Sequence, residues 1–223
     1  MTDPRAIPQS VGLELSINKT LRSAFILLAI VLACAAGGTF LGLGIELPRF
    51  KMMWLVFMAV FIGGPFLIRS IRNLQTAILV TCVWAGLVGL MMSPMIGRFL
   101  SFAGGPAILF NALATTAVAF VALSGYAIVS RRDFSFMGGF LFVGFIVALV
   151  AIVANIFLQI PVLSLAISGA VVLLCAGSML YNVSRLVHDG AADALMIVVE
   201  LFADIAVMFS HLLNLFGFMG SDD

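Results

Sequence analysis

The stretch ALMIVVELFADIAVMFSHLLNLFG, residues 194–217, decides the fold because it is a long apolar segment that carries two acids. At about 1.5 Å per residue it forms a helix long enough to cross a bilayer. A carboxylate at the centre of a spanning helix costs roughly 3 kcal/mol on insertion scales, so Glu200 and Asp204 need a reason to be there. These two acids are the best functional candidates in the chain.

The polar side chains of this helix share one narrow stripe. At about 100° per residue, Glu200 falls at about 0°, Asp204 at about 40°, His211 at about 20° and Asn214 at about −40°. Such a stripe must face protein or water, because acyl chains offer it no hydrogen-bond partners. The pattern therefore predicts a helix in the interior of a bundle.

The composition is that of a polytopic helical membrane protein. Of 223 residues, 63% are hydrophobic and 9% charged, whereas a soluble domain is nearer half apolar and a quarter charged. A net charge of +1 gives no basic face for nucleic acid. The cysteines, Cys34, Cys82 and Cys175, are far apart and show no CxxC spacing, so we expect neither a zinc site nor a disulfide framework, and no cofactor.

Seven spans can be marked between polar connections, which predicts an all-α membrane domain over residues 21–219. The spans are residues 24–45, 52–68, 76–92, 106–129, 136–158, 162–186 and 194–217. Residues 1–20 are interpreted as a polar cytoplasmic tail and residues 220–223 as a short acidic tail. We expect residues 21–219, between these two tails, to be surrounded by the lipid bilayer.

Lysine and arginine positions predict the orientation. With the N-terminus in the cytoplasm, eight basic residues are cytoplasmic: Arg5, Lys19, Arg22, Arg69, Arg72, Arg131, Arg132 and Arg185. Three are on the other side: Arg49, Lys51 and Arg98. This bias places the C-terminus in the periplasm if the membrane is a bacterial inner membrane.

The sixth span has a polar stripe of its own, formed within about 80° by Ser164, Ser168, Cys175, Ser178 and Asn182. One interpretation is a small-residue face against which any helix packs. The other is that this face meets the polar stripe of the seventh span, because a short loop makes the two spans antiparallel neighbours.

The two acids suggest a chemistry. Two carboxylates one turn apart in a low-dielectric site cannot both ionise cheaply, so Glu200 and Asp204 are expected to share a proton and could gate a cation or proton path. Calcium would suit their oxygen ligands. The structural alternative is that partners such as Arg69 or the amide of Asn182 neutralise them. His211 is either a helix contact or a proton relay. No GxSxG, HExxH or phosphate loop occurs, so an enzyme is not expected.

Residues 126–168, YAIVSRRDFSFMGGFLFVGFIVALVAIVANIFLQIPVLSLAIS, resemble the bacterial YccA branch of the Bax inhibitor-1 family. The loop RRDFSFMGG, the segment VANIFLQIP and the closing LLNLFG carry this resemblance. It implies a seven-helix fold with the last helix at the centre. Family members are associated with pH-sensitive calcium leak and protection from cell death, and the YccA branch with an inner-membrane protein that binds the protease FtsH and modulates its proteolysis.

The resemblance also assigns residues. Leak-type members carry one aspartate late in the sixth helix and one midway along the seventh. Asp204 matches the second, whereas the first falls on Asn182, which does not ionise. Glu200 could supply the missing acid from one turn away. Two functions stay open: a partner of FtsH that presents its N-terminal tail to the protease, and a pH-gated cation leak through the bundle.

Overall fold

The computed structural model describes residues 9–45, 53–101, 104–188 and 193–220, and within these ranges it contains helices and no strand. The seven helices are α1 (Gln9–Leu43), α2 (Met53–Ser70), α3 (Leu74–Leu100), α4 (Gly105–Ser130), α5 (Met137–Leu158), α6 (Pro161–His188) and α7 (Ala194–Met219). Six of them are long and apolar enough to cross a membrane. In α2 the stretch that could be compared in this way, Val56–Ser70, is a shorter apolar helix. The prediction of an all-α, multi-pass membrane protein is confirmed.

The helix bounds follow the predicted spans closely at α2 and at α4–α7. They differ at α1, which begins at Gln9 rather than at residue 24, and at α3, which continues to Leu100 rather than ending at residue 92. In both cases the helix runs on through polar residues that a hydropathy criterion excludes. Residues 1–8 of the predicted N-terminal tail and 221–223 of the acidic tail lie outside the described residues.

Left-handed residues and prolines end and restart the helices. Gln159 ends α5 with φ 52°, and its N–H donates to the carbonyl of Asn155 at 2.8 Å. The Asn155 side-chain oxygen accepts a hydrogen bond from the N–H of Ile160 at 3.2 Å. Pro161 then opens α6, where a missing N–H costs nothing. Asn155 therefore closes the α5–α6 turn.

Glycines let α1 and α3 pack backbone against backbone. A Cβ atom at Gly38 would overlap the carbonyl oxygen of Gly86, and one at Gly89 would overlap that of Ala35. Thr39 joins the same contact, because its hydroxyl lies 2.9 Å from the carbonyl oxygen of Gly89. Small residues that allow this approach are the usual basis of tight helix pairs in membranes.

Trp84 of α3 connects two further helices. Its indole N–H donates to the carbonyl of Val60 in α2 at 2.9 Å, beside Gly64, where a side chain would collide with the ring. Its other edge meets Phe202 of α7, with ring centroids 5.2 Å apart. Along its length α7 contacts α1, α2, α3, α4 and α6, whereas α5 contacts α6.

Candidate functional site

The polar faces of α6 and α7 meet, as the second interpretation of the α6 stripe predicted. Three side-chain contacts join them at different depths: Arg185 with Glu200, Asn182 with Asp204, and Ser168 with His211. The helices are antiparallel, so residues late in α6 pair with residues early in α7. The periodicity of about 3.6 residues places each polar group on the shared face.

Asp204 and Asn182 form the most buried of these contacts. The Asn182 side-chain N–H group donates to Asp204 Oδ2 at 3.0 Å, and its nitrogen lies 3.4 Å from the hydroxyl oxygen of Ser178. Asp204 is 7% exposed and Asn182 is 2% exposed. A hydrogen bond to a charged acceptor contributes about 1.5–3 kcal/mol, roughly twice a neutral one. The Asn182 amide is therefore one of the groups that stabilise a carboxylate at this depth, together with the Ser178 hydroxyl.

The Asn182 side-chain oxygen is buried and accepts no hydrogen bond from the described part of the chain. An amide presents both a donor and an acceptor, and only the donor side is used by Asp204 here. A buried acceptor left without a donor costs about 1–3 kcal/mol. The site thus has one unused acceptor beside the acid, and a proton on the carboxyl group would offer it a donor after rotation of the amide.

Glu200 is held by a separate group. Its Oε2 lies 2.9 Å from Arg185 Nη1, in an ion pair whose side chains are 40% and 23% exposed, respectively. The Arg185 guanidinium also lies over the ring of Tyr181, 5.4 Å from its centroid. The pair is at the end of α6 nearest the α6–α7 connection, so water reaches it more easily than it reaches Asp204.

The geometry adds detail to two predictions about the acids, and both stay predictions. Glu200 and Asp204 have different α6 partners, and within the described residues no hydrogen bond joins the two carboxyl groups. Arg69, named as a possible charge partner, acts on Glu200 through its charge, and Arg185 makes the direct contact. Sequence reasoning assigns Arg185 only to membrane orientation. Its position three residues after Asn182, on nearly the same face of the helix, is the signal that could have identified it.

His211 lies in a second polar region, farther along α7 than Asp204. It follows Asp204 by seven residues, or about 10 Å along the axis, and its Nδ1 lies 3.1 Å from the hydroxyl oxygen of Ser168. Both residues line a cavity of about 230 Å³ between α5, α6 and α7, together with Asn155, Ser164, Asn214 and three isoleucines. The predicted stripe therefore divides into two contacts nearer the α6–α7 connection, at Glu200 and Asp204, and a polar cavity farther along α7.

The connection between α4 and α5, which contains the RRDF sequence, is hydrogen-bonded to the end of α6. The Ser184 hydroxyl donates to the carbonyl of Arg132 at 3.0 Å and accepts the N–H of Phe134 at 3.1 Å. His188 Nε2 lies 3.2 Å from the carbonyl oxygen of Arg131. Sequence reasoning assigns this segment only to topology and misses Ser184 and His188, because these bonds are to the backbone and leave no side-chain pattern.

The described residues contain no group of three or more His, Cys, Asp or Glu side chains placed to hold a metal ion together. Asp204 has one amide beside it, and Glu200 has a guanidinium. What this arrangement can do chemically is bind or release a proton at a buried carboxyl group and exchange hydrogen-bond partners between α6 and α7.

Comparison with known proteins gives a consistent result. A family model described as "Inhibitor of apoptosis-promoting Bax1" matches residues 17–221. The chain is 34% identical over 208 residues to "Modulator of FtsH protease YccA" of Escherichia coli K12, covering 93% of this chain and 94% of that protein. It is 31% identical over 215 residues to an uncharacterized membrane protein of Vibrio cholerae, covering 96% of both.

Proposed function

The chain belongs to the Bax inhibitor-1 family, and we propose that it is a regulator of a membrane protease of the FtsH type rather than an enzyme. The observation that carries this proposal is the end-to-end similarity to a protein named as a modulator of FtsH, at 34% identity over 93% of this chain. Similarity of this extent leaves little of either chain unmatched. The words "modulator" and "inhibitor" in the relatives' descriptions also favour a regulatory role.

The extended first helix supports a docking role for the N-terminal part. The apolar run of α1 begins near residue 24, whereas the helix begins at Gln9. The residues between these two points, at about 1.5 Å each, carry the helix roughly 20 Å beyond that run. A protruding helix continuous with a transmembrane span is a rigid element that a cytoplasmic protease domain can contact. The tail that precedes it, residues 1–8, lies outside the described part of the chain.

Co-purification with FtsH tests the proposal. The full-length chain, a variant lacking residues 1–18 and a variant lacking residues 1–8 are expressed in a bacterial membrane with tagged FtsH. We expect FtsH to be retained by the full-length chain and lost with the longer deletion, provided that both variants insert at equal levels. The shorter deletion separates the contribution of residues 1–8 from that of the helix. Absence of FtsH from the full-length sample would refute the proposal.

The orientation and the place of α7 belong to the same proposal. We infer an inner-membrane protein with a cytoplasmic N-terminus and a periplasmic C-terminus, supported by the distribution of lysine and arginine. We also infer that α7 is the central helix. Its support is that 56% of its most apolar window is buried, against 11–39% in the other spanning helices.

Asp204 favours a second candidate, a pH-sensitive leak for calcium or protons. Among the described residues its side-chain partners are the polar but uncharged Asn182 and Ser178. A buried carboxyl group in such surroundings is the kind of group that marks an ion or proton path in a membrane. Flux of calcium, and separately of protons, is measured in liposomes at several pH values for the natural chain and for Asp204→Asn. A pH-dependent flux that the substitution removes would support the leak, and unchanged flux would exclude Asp204 from it.

A further inference from the structure

A large apolar cleft lies on the side of α7 opposite its polar face. It has a volume of about 550 Å³ and is bounded by α1, α3, α4 and α7. The α7 wall lies at about 140–240° around the helix from Glu200 and consists of Phe202, Ile205, Ala206 and Phe209. The cleft is open sideways, because in the described residues no Cα atom of α1 comes within 8 Å of one in α4. One helix thus separates the polar site from an apolar cleft.

The side chains that line the cleft favour an apolar ligand. Of its lining side chains only Thr39 and Thr116 are polar. The Thr39 hydroxyl lies 2.9 Å from the carbonyl oxygen of Gly89, and the Thr116 hydroxyl donates to the carbonyl of Ala112 at 2.7 Å. Both hydroxyl protons are therefore already used. A charged or polar group entering the cleft would lose its hydration without gaining a partner, which is costly.

The length of the cleft matches one leaflet of a bilayer. Its α4 wall runs from Leu109 to Val121, or about 18 Å at 1.5 Å per residue. The hydrocarbon core of a bilayer is about 30 Å thick, so one leaflet contributes about 15 Å. Toward the middle of the bundle, Phe120 of the cleft wall meets Phe25 of α1 edge to face, with ring centroids 6.0 Å apart, and Phe25 does not line the cleft.

We propose that this cleft binds one acyl chain of a membrane lipid, from the leaflet at the end of the bundle where α1 ends and α4 begins. The rim is accessible from the bilayer, since Phe40 on α1 is 77% exposed and Leu113 on α4 is 52% exposed. A transmembrane helix of a partner needs about 30 Å of apolar length, so the Phe25–Phe120 contact would block it. An acyl chain of one leaflet is about as long as the cleft and can end at that contact.

Photolabelling with a phospholipid that carries a diazirine at the methyl end of one acyl chain tests this site. The full-length chain is reconstituted in phosphatidylethanolamine and phosphatidylglycerol vesicles containing the probe, irradiated and mapped by mass spectrometry. We expect lipid adducts at Ile205 and Phe120. Leu173, which is 75% exposed on α6 and outside the cleft, reports labelling by bulk lipid in the same sample. Adducts at Leu173 with none at Ile205 would overturn the proposal.

A matched pair of substitutions on α4 supplies the control. Ala117 lines the cleft and Ala122 does not, and both are exposed. Ala117→Phe should abolish labelling at Ile205, and Ala122→Phe should leave it intact, with both variants eluting and melting like the natural chain. If Ala117→Phe does not fold, Ala36→Phe fills the cleft from α1 instead. Labelling at Ile205 that survives the filling substitution would refute the site.

Discussion

Replacing Asn182 by leucine should destabilise the protein substantially. The substitution keeps the branched shape and the number of heavy atoms but removes the N–H group that lies 3.0 Å from Asp204 Oδ2. A lost hydrogen bond costs about 0.5–1.5 kcal/mol, or about 1.5–3 kcal/mol if the partner is charged. The Asp204 oxygen left behind is buried without that donor, which adds about 1–3 kcal/mol. Removing the Asn182 side-chain oxygen, which is buried without a donor, stabilises the protein by about 1–3 kcal/mol. We therefore expect a net loss of roughly 2 kcal/mol in the free energy of unfolding.

Thermal unfolding in detergent micelles, followed by intrinsic tryptophan fluorescence, measures this loss. For a protein of this length about 1 kcal/mol shifts the melting temperature by about 2–4 °C, so Asn182→Leu should melt about 4–8 °C lower. The control is Asn111→Leu, the same substitution at an exposed position of α4, which should change the free energy of unfolding by less than about 0.5 kcal/mol.

The double variant Asn182→Leu with Asp204→Leu identifies the cause. Replacing both partners of a buried polar contact by apolar groups is often nearly neutral. The double variant should therefore recover most of the stability that Asn182→Leu loses. If the two substitutions add instead, or if Asn182→Leu melts like the natural chain, the Asn182–Asp204 hydrogen bond is not what stabilises this depth of the bundle.

Three smaller predictions follow from other contacts. Gly38→Leu should prevent α1 from packing on α3 and cost about 3 kcal/mol or more in unfolding free energy. Gly37→Leu is its control and should cost less than about 0.5 kcal/mol, because a Cβ atom there would meet no neighbouring atom of the described residues within 4 Å; equal losses for the two variants would refute the close packing. Arg185→Ala should cost only about 0.2–1 kcal/mol, since its partly exposed ion pair is screened by water and salt; a loss above about 2 kcal/mol would contradict that view. The N–H of Ser135 holds the pKa of Asp133 below its ordinary value, so this bond should be present at neutral pH and lost only as the pH falls below about 4; a change in the Ser135 amide resonance near pH 6 would contradict it.

Hydropathy and helical periodicity predict most of the fold. Apolar length locates the helices, because backbone groups in a membrane must be satisfied within each helix. The periodicity of about 100° per residue places Asp204 and Asn182 on faces that meet, since both residues are too polar to face lipid. Each of these predictions uses the sequence pattern of a single helix, or of two helices joined by a short loop.

The features that sequence reasoning misses depend on geometry between distant segments. Asn155 becomes a cap only because Gln159 adopts a left-handed conformation, which residue type alone does not specify. Arg185 becomes the partner of Glu200 through the rotation of α6 relative to α7. The apolar cleft depends on a gap between the described parts of α1 and α4, and a gap between two helices leaves no pattern in either of them.

The bonds from Ser184 to the α4–α5 connection have a mechanical consequence. Asn182 is only two residues from Ser184 on the same helix. One turn of α6 therefore makes hydrogen bonds to the buried acid of α7 and to the backbone at residues 132 and 134. A rigid helix cannot twist at one of these residues and stay still at the other. We therefore expect a rearrangement around the carboxyl group deep in the bundle to displace the arginine-bearing loop at its end.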